Sequence, residues 1–391
     1  STNLDMLRCF FGGLVPKEDF MTLSIGSDVE AMELWGTFNV VFLTFGHFEG
    51  YIYCKEDCVG ACRTILHEAF VNFRCIESSL SESDVQAFKD WHNPTKYRDK
   101  SSEEVANGLR FLIRCVRSYD PQTPVLLLID EFDRICSRAI FKTDEDRLES
   151  IIQFYCDMVG NALKFEPDCL SVVTGVAAIT CKGLSSFNNP DLIRFMEDDK
   201  FSQFYGITET EFKNLMDNEK ILAKTRAQKE EACRWYDGYC YKNFRIFNTY
   251  SVINFIRKGV IKSYWRRSGL ADGLDYALNK PMMRGSVITL LEKELLEVEM
   301  IQNLKPCDFS RMMDGSYDVI NCNSMLNFPI QQGYVSIEKE IKDNVISVRI
   351  PNYEVWLELK SVIKTSYARI CKFNCELLKK CKTHFMMMNM S

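Results

Sequence analysis

Two adjacent carboxylates, Asp130 and Glu131, follow five consecutive large aliphatic residues, Val125 to Ile129, in the stretch "PVLLLIDEFDRI". Magnesium takes hard oxygen ligands and keeps several of its waters. One Asp at the end of a buried strand can hold such a hydrated ion beside the β- and γ-phosphates of a nucleotide. A neighbouring carboxylate can orient and deprotonate an attacking water. A hydroxyl at the tip of an adjacent strand can sense the γ-phosphate, and Thr174 in "CLSVVTGVAAI" is the candidate. The competing reading is a buried strand that runs into a solvated acidic turn, "DEFDR". The usual phosphate cradle, Gly-x4-Gly-Lys-Ser/Thr, does not occur: "KGVIKS" (258–263) and "CKGLSS" (181–186) lack its spacing.

Those residues need strands and helices to hold them. "FNVVFLTFG" (38–46) reads as a short buried strand, and Pro121 and Pro124 fence off the strand at 125–129. "CLSVVTGVAAI" (169–179) reads as a further buried strand. Helices are expected at 1–23, closing at Gly12-Gly13, and from about 55 to 76. Another is expected after the cap signal at Ser81 to Asp84. "EEVANGLRFLIRCVRSY" predicts a helix with apolar positions near 105, 109, 112, 113 and 116, and a further helix opens at Thr143. Strands alternating with helices imply an α/β layer with a parallel sheet, whose ligands sit at the carboxyl ends of the strands. Asp130, Glu131 and Thr174 all fall at such ends. Beyond about residue 205 the strand signal fades and helices dominate, with a capping box at Thr208 and Glu211. Alternation then resumes on both sides of Lys342-Asp343-Asn344, a hairpin between helices, which predicts a winged-helix end.

Composition narrows the function classes. The chain has 391 residues, 46% of them hydrophobic and 26% charged, which implies two or three globular domains. Its net charge of −6 excludes a uniformly nucleic-acid-coating protein but leaves room for local basic patches. No apolar run approaches the ~20 residues of a membrane span, and there is no signal-peptide pattern, so the expected setting is cytoplasmic. Most of the 17 cysteines sit singly among apolar residues and read as reduced, buried thiols. Cys54, Cys58 and Cys62 share one helical face, but a metal site there would need a fourth ligand. With four histidines in the whole chain, a histidine-based catalytic centre is not expected.

Seven segments in one order resemble the AAA-ATPase-like family, P-loop proteins often fused to a restriction-endonuclease-like nuclease. They are "STNLDMLRCFF" at the start, "LLLIDEFDRI" as Walker B, "VVTGVAAI" and "LSSFNN" as sensor strand and loop, "YGITETEF", "WYDGYCY" with "FNTYSVINFI", and "GYVSI" through "IPNYEV". The resemblance implies ATP and Mg²⁺ as ligands. It makes Ser1 the loop hydroxyl on Mg²⁺, Asp130 the Mg²⁺-linked carboxylate, Glu131 the catalytic base and Thr174 the sensor. Trp235, Tyr236, Asp237, Gly238 and Tyr239 form a family signature, and a Gly between aromatics predicts a tightly packed turn. The implied fold is a P-loop NTPase-like α/β core over 1–205 lacking its first strand, a helical lid over 206–284, and a winged-helix-like region over 285–391. On this reading the chain looks truncated before the phosphate-loop lysine and before the nuclease.

Two other classes compete with an NTPase switch coupled to a nuclease or DNA-related effector. One is a DNA-binding or interaction module. "RKGVIKSYWRR" (257–267) carries Arg257, Lys258, Lys262, Arg266 and Arg267, with two aromatics and no acid, and 360–382 holds seven basic residues against one acid. The solvated surface of a basic helix is the bland account of both. The other class is an inactive remnant.

Overall fold

A computed structural model of the chain describes residues 2–140, 142–166, 168–176, 193, 200–218, 228–241, 244–265, 281–293, 295–301, 303–309, 326–342 and 344–370. The chain divides into two compact units, Ser1–Asp191 with Asn303–Ser310, and Leu192–Gln302 with Arg311–Ser391.

The first unit runs α1 (Thr2–Phe11), α2 (Lys17–Met21), α3 (Val29–Glu33), β1 (Asn39–Thr44), α4 (Lys55–Asn72), α5 (Glu82–His92), α6 (Ser102–Tyr119), β2 (Val125–Asp130), α7 (Arg134–Ala139), α8 (Glu145–Phe165) and β3 (Leu170–Val173). The three strands form one parallel sheet in the order β1-β2-β3, so the α/β expectation holds for this unit. β2 is central and buried at every position. That is what a continuous Val/Leu/Ile run requires, because both faces of a parallel strand must be covered. Leu126 and Leu128 pack with Leu4 of α1 and are flanked by Leu7, Phe11, Val40 and Phe42. α4 packs against β1 and α6 against β2. The five apolar positions named for α6 are all buried, and its N-terminus is closed by a reciprocal Ser101/Glu104 capping box. α1 ends where Gly13 takes φ +61°, and the Leu14 amide reaches back to the Cys9 carbonyl. A side chain at Gly13 would be strained in that left-handed geometry.

Four local expectations change. The helix expected over 1–23 is two helices, α1 and α2, separated by the glycine turn. The Ser81 hydroxyl does not cap α5; it donates to the Asp84 carboxylate at 3.1 Å instead. The helix expected at Thr143 begins two residues later, at Glu145, capped by Asp144, whose carboxylate accepts from the Arg147 amide at 2.9 Å. β3, expected to be buried, leaves Leu170 57% and Val172 39% exposed. Among the described residues β3 has one strand neighbour, β2, so part of its apolar surface is not covered by another strand.

The second unit contains β4 (Ile207–Thr208), α9 (Glu209–Asp217), α10 (Lys229–Tyr236), β5 (Tyr239–Tyr241), β6 (Phe244–Phe247), α11 (Thr249–Lys258), α12 (Pro281–Lys293), β7 (Leu296–Glu299), α13 (Asn327–Gln331), β8 (Ser336–Lys342), β9 (Val345–Arg349) and α14 (Tyr353–Ile370). The expected fading of strands after residue 205 is therefore incomplete. A small antiparallel sheet, β4-β6-β5, sits among the helices. Its strands span only two to four residues, too short for a readable alternation. The Thr208/Glu211 capping box opens α9 as anticipated. Phe212 stacks on Phe247 at 4.2 Å, at the heart of a core shared with Met216, Tyr236, Val252 and Phe255. The terminal hairpin is β8-β9, turning at Asn344 with φ +67°, and β7 joins it in the order β7-β9-β8. Among the described residues, no helix is long and apolar enough to cross a membrane.

Candidate functional site

The carboxyl ends of the three parallel strands bring the predicted chemistry together. Thr44, the last residue of β1, is in register with Asp130, the last residue of β2. The Thr174 amide donates to the Ile129 carbonyl at 2.8 Å, and the Phe132 amide donates to the Thr174 carbonyl at 2.8 Å. The sheet ladder thus continues past β3 and pins Thr174 beside the carboxylates. Asp130 is 5% exposed. Its carboxylate accepts from the Thr174 hydroxyl at 3.0 Å and from the Thr44 hydroxyl at 3.4 Å. A buried carboxylate is tolerated when such donors replace water.

Glu131 stands at φ +52°, in the left-handed region that a side chain enters only at a cost. This turn takes the chain off the sheet at once, and the Arg134 amide donates to the Glu131 carbonyl at 2.9 Å as α7 begins. The Glu131 carboxylate lies against the β1–α4 loop: a Cβ on Gly46 would meet its Oε1 at 3.2 Å. Arg134 Nε is 3.9 Å from Glu131 Oε2 and donates to the Phe48 carbonyl at 3.2 Å. Burial is the main cause raising the Glu131 pKa above its ordinary value. Arg134 opposes the shift, and Asp130 and Asp133 add to it. Asp133 is buried, accepting from the Val176 amide at 2.9 Å and the Ser137 hydroxyl at 3.3 Å, so it tethers the segment after Thr174 to α7. Beneath the turn, Phe132 stacks on the buried ring of Tyr155 at 4.8 Å and Phe45 meets the same ring edge-on at 5.0 Å.

Of the predicted set, Asp130, Glu131 and Thr174 therefore meet in one place. Ser1 lies outside the described residues, as do Arg266, Arg267 and the loop "LSSFNN". Sequence reasoning missed Thr44, Gly46, Asp133 and Arg134. The signal for the first two was present in "LTFG", a strand ending in Thr with a Gly two residues on, and Asp133 is the last acid of "DEFD". Among the described residues, no three His, Cys, Asp or Glu side chains are grouped to hold a metal ion. The donors that do converge are all hard oxygens, a set suited to a hydrated Mg²⁺ that takes one carboxylate from the protein and the rest of its shell from elsewhere. Cys58 and Cys62 are buried free thiols on α4.

The "WYDGY" signature lies in the second unit and is built for packing. Trp235 meets Tyr353 edge-on at 4.9 Å, and the Tyr236 hydroxyl donates to the Lys262 carbonyl at 2.9 Å. Asp237 pairs with Arg245 at 3.1 Å. The Tyr239 hydroxyl donates to the Gly333 carbonyl at 2.9 Å. Gly238 takes φ +123°, and a Cβ there would sit 1.7 Å from the Pro351 carbonyl oxygen, so only glycine fits. Comparison of the chain with protein-family models, with curated proteins and with solved structures returns no match.

Proposed function

We propose that the chain carries the catalytic carboxylates of a Mg²⁺-dependent nucleoside triphosphatase of the AAA-ATPase-like type, a cytoplasmic switch coupled to a nuclease or DNA-related effector. The observation that carries this reading is the meeting of Thr44, Asp130, Glu131 and Thr174 at the carboxyl end of a parallel sheet, with Glu131 held in a strained backbone conformation. Strain of that kind persists where the surrounding structure over-determines it, and it clusters at active sites. Asp130, on its two hydroxyl donors, would hold the magnesium ion, which when bound neutralises charge on the β- and γ-phosphates. Glu131, partly desolvated and raised in pKa, accepts the proton of the attacking water. Thr174 couples the state of Asp130 to the segment after β3 through its hydroxyl and its ladder bonds.

The order of α12, β7, α13, β8 and β9, with the three strands in one antiparallel sheet, supports a winged-helix reading of that part of the second unit. The nucleotide reading also requires a phosphate cradle, and no Gly-x4-Gly-Lys stretch occurs in these 391 residues. Phosphate release from ATP is therefore measured both on this chain and on the product of its whole open reading frame. Glu131→Gln is expected to lower turnover by about 10²–10⁴-fold while ATP binding is retained. Turnover by Glu131→Gln equal to that of the parent protein would remove the assigned role.

A further inference from the structure

We propose that the second unit grips the phosphate backbone of duplex DNA with a lysine-lined cleft between the loop after α11 and the outer face of α14, rather than with its hairpin or its short helix α13. The cleft is a cavity of about 350 Å³ lined by Ser263, Leu357, Glu358, Lys360, Ser361 and Lys364. Its loop wall is fixed in place. The backbone amides of Tyr264 and Trp265 both donate to the buried carboxylate of Glu354 in the first turn of α14, the latter at 2.7 Å. Glu354 also accepts from the Ser251 hydroxyl at 2.7 Å. The Tyr264 ring gathers two more cations, with Lys258 Nζ at 5.0 Å and Lys262 Nζ at 5.3 Å from its centroid. On the helix wall Lys360 is held over Trp356 at 4.3 Å. Lys360 and Lys364 stand one turn apart, about 6 Å along the axis.

Two exposed lysines, Lys360 and Lys364, thus line the cavity, two more, Lys258 and Lys262, lie around Tyr264 next to its Ser263 wall, and Glu358 is the one acid among the lining residues. The chain as a whole is acidic at −6, so this face is a local exception to the overall sign. Lysines and hydroxyls around a cleft are the donors that contact phosphate without reading sequence. The other surfaces of the unit fit this role less well. Asn327 and Phe328 of α13 are 2% and 1% exposed, which leaves that helix little to insert into a groove. The β8 edge alternates Glu338, Lys339, Glu340 and Lys342, so its charges cancel.

The inference does not depend on the nucleotide reading, and its test contains no nucleotide. Fluorescence anisotropy of a labelled 20-base-pair DNA duplex is followed with the full chain from 50 to 200 mM salt. Four phosphate contacts predict a log–log salt slope of about −3.6 and a loss of affinity of roughly 100-fold over that range. The double substitution Lys360→Ala/Lys364→Ala is expected to weaken binding at least 10-fold at 50 mM salt and to flatten the slope by about 2. Lys339→Ala/Lys342→Ala on the hairpin is expected to leave both unchanged. Three results overturn the proposal: no binding at 50 mM salt, a slope shallower than about −1, or a loss that follows the hairpin pair and not the α14 pair. Phosphatidylserine vesicles serve as competitor. Vesicles that bind the chain while duplex DNA fails to displace them would assign the cleft to a membrane surface and likewise overturn it.

Discussion

Replacing Glu131 by glycine and by alanine separates the backbone cost at the candidate site from everything its side chain does. Both substitutions remove the same carboxylate, the same 3.9 Å approach to Arg134 and the same contact with Gly46. They differ only in what they ask of a backbone at φ +52°. Alanine there carries a left-handed cost of about 1–2 kcal/mol. Glycine avoids it but loses more conformational freedom on folding, about 0.5–1 kcal/mol. The net expectation is that Glu131→Gly is more stable than Glu131→Ala by about 0.7 kcal/mol, combining those two terms. For a unit of this size that is about 2 °C in Tm. Urea unfolding of the two variants, with the shift in midpoint converted by a common slope, measures the difference. Gln122 supplies the control: it is exposed, has no positive φ, and should show the opposite order, alanine above glycine. If alanine at 131 proves as stable as glycine, the turn is not strained, and the strain argument for the site fails with it.

Two further outcomes follow from the same geometry. Burial raises the Glu131 pKa above its ordinary value, so the folded state favours the neutral form. The stability that Glu131 contributes is therefore complete below its unfolded pKa and is lost as pH rises through its folded pKa. Glu131→Gln, fixed neutral, should gain stability relative to the parent chain between pH 4 and pH 7; urea midpoints at the two pH values test this, and a gain that shrinks as pH rises would contradict it. At Gly238, where a Cβ would meet the Pro351 oxygen at 1.7 Å, Gly238→Ala should destabilise the second unit by about 3 kcal/mol or more and lower its melting midpoint.

The centre of the first unit was legible because its signal is local. Six consecutive buried positions in β2 come from six consecutive apolar or terminal residues, and the carboxylates follow them directly. α6 and α8 were legible for the same reason: an amphipathic period over five or six turns is hard to mistake. What was not legible depends on partners far along the chain. Thr44 becomes a hydrogen-bond donor to Asp130 only through the register of β1 with β2, 86 residues apart. "LSVV" reads as interior by composition, yet its exposure is set by its place in the sheet. The positive φ of Glu131 leaves no compositional trace, because the residue type that usually marks such a turn, glycine, is absent. The hairpin β5-β6 escaped because three or four residues cannot display a period.

The parallel sheet also sets a timetable for the newborn chain. Hairpin β8-β9 joins residues adjacent in sequence and can close within microseconds of being available. The site in the first unit has no such shortcut. Thr44, Asp130 and Thr174 are spread over about 130 residues, and at about 5–20 residues per second a ribosome needs roughly 7–26 s to deliver them all. Until β2 has been made, β1 has no strand to pair with, and Asp130 is made before one of its two hydroxyl donors exists. The candidate site is thus among the later parts of its unit to be completed, and during synthesis the apolar strand β1 waits unpaired until β2 emerges.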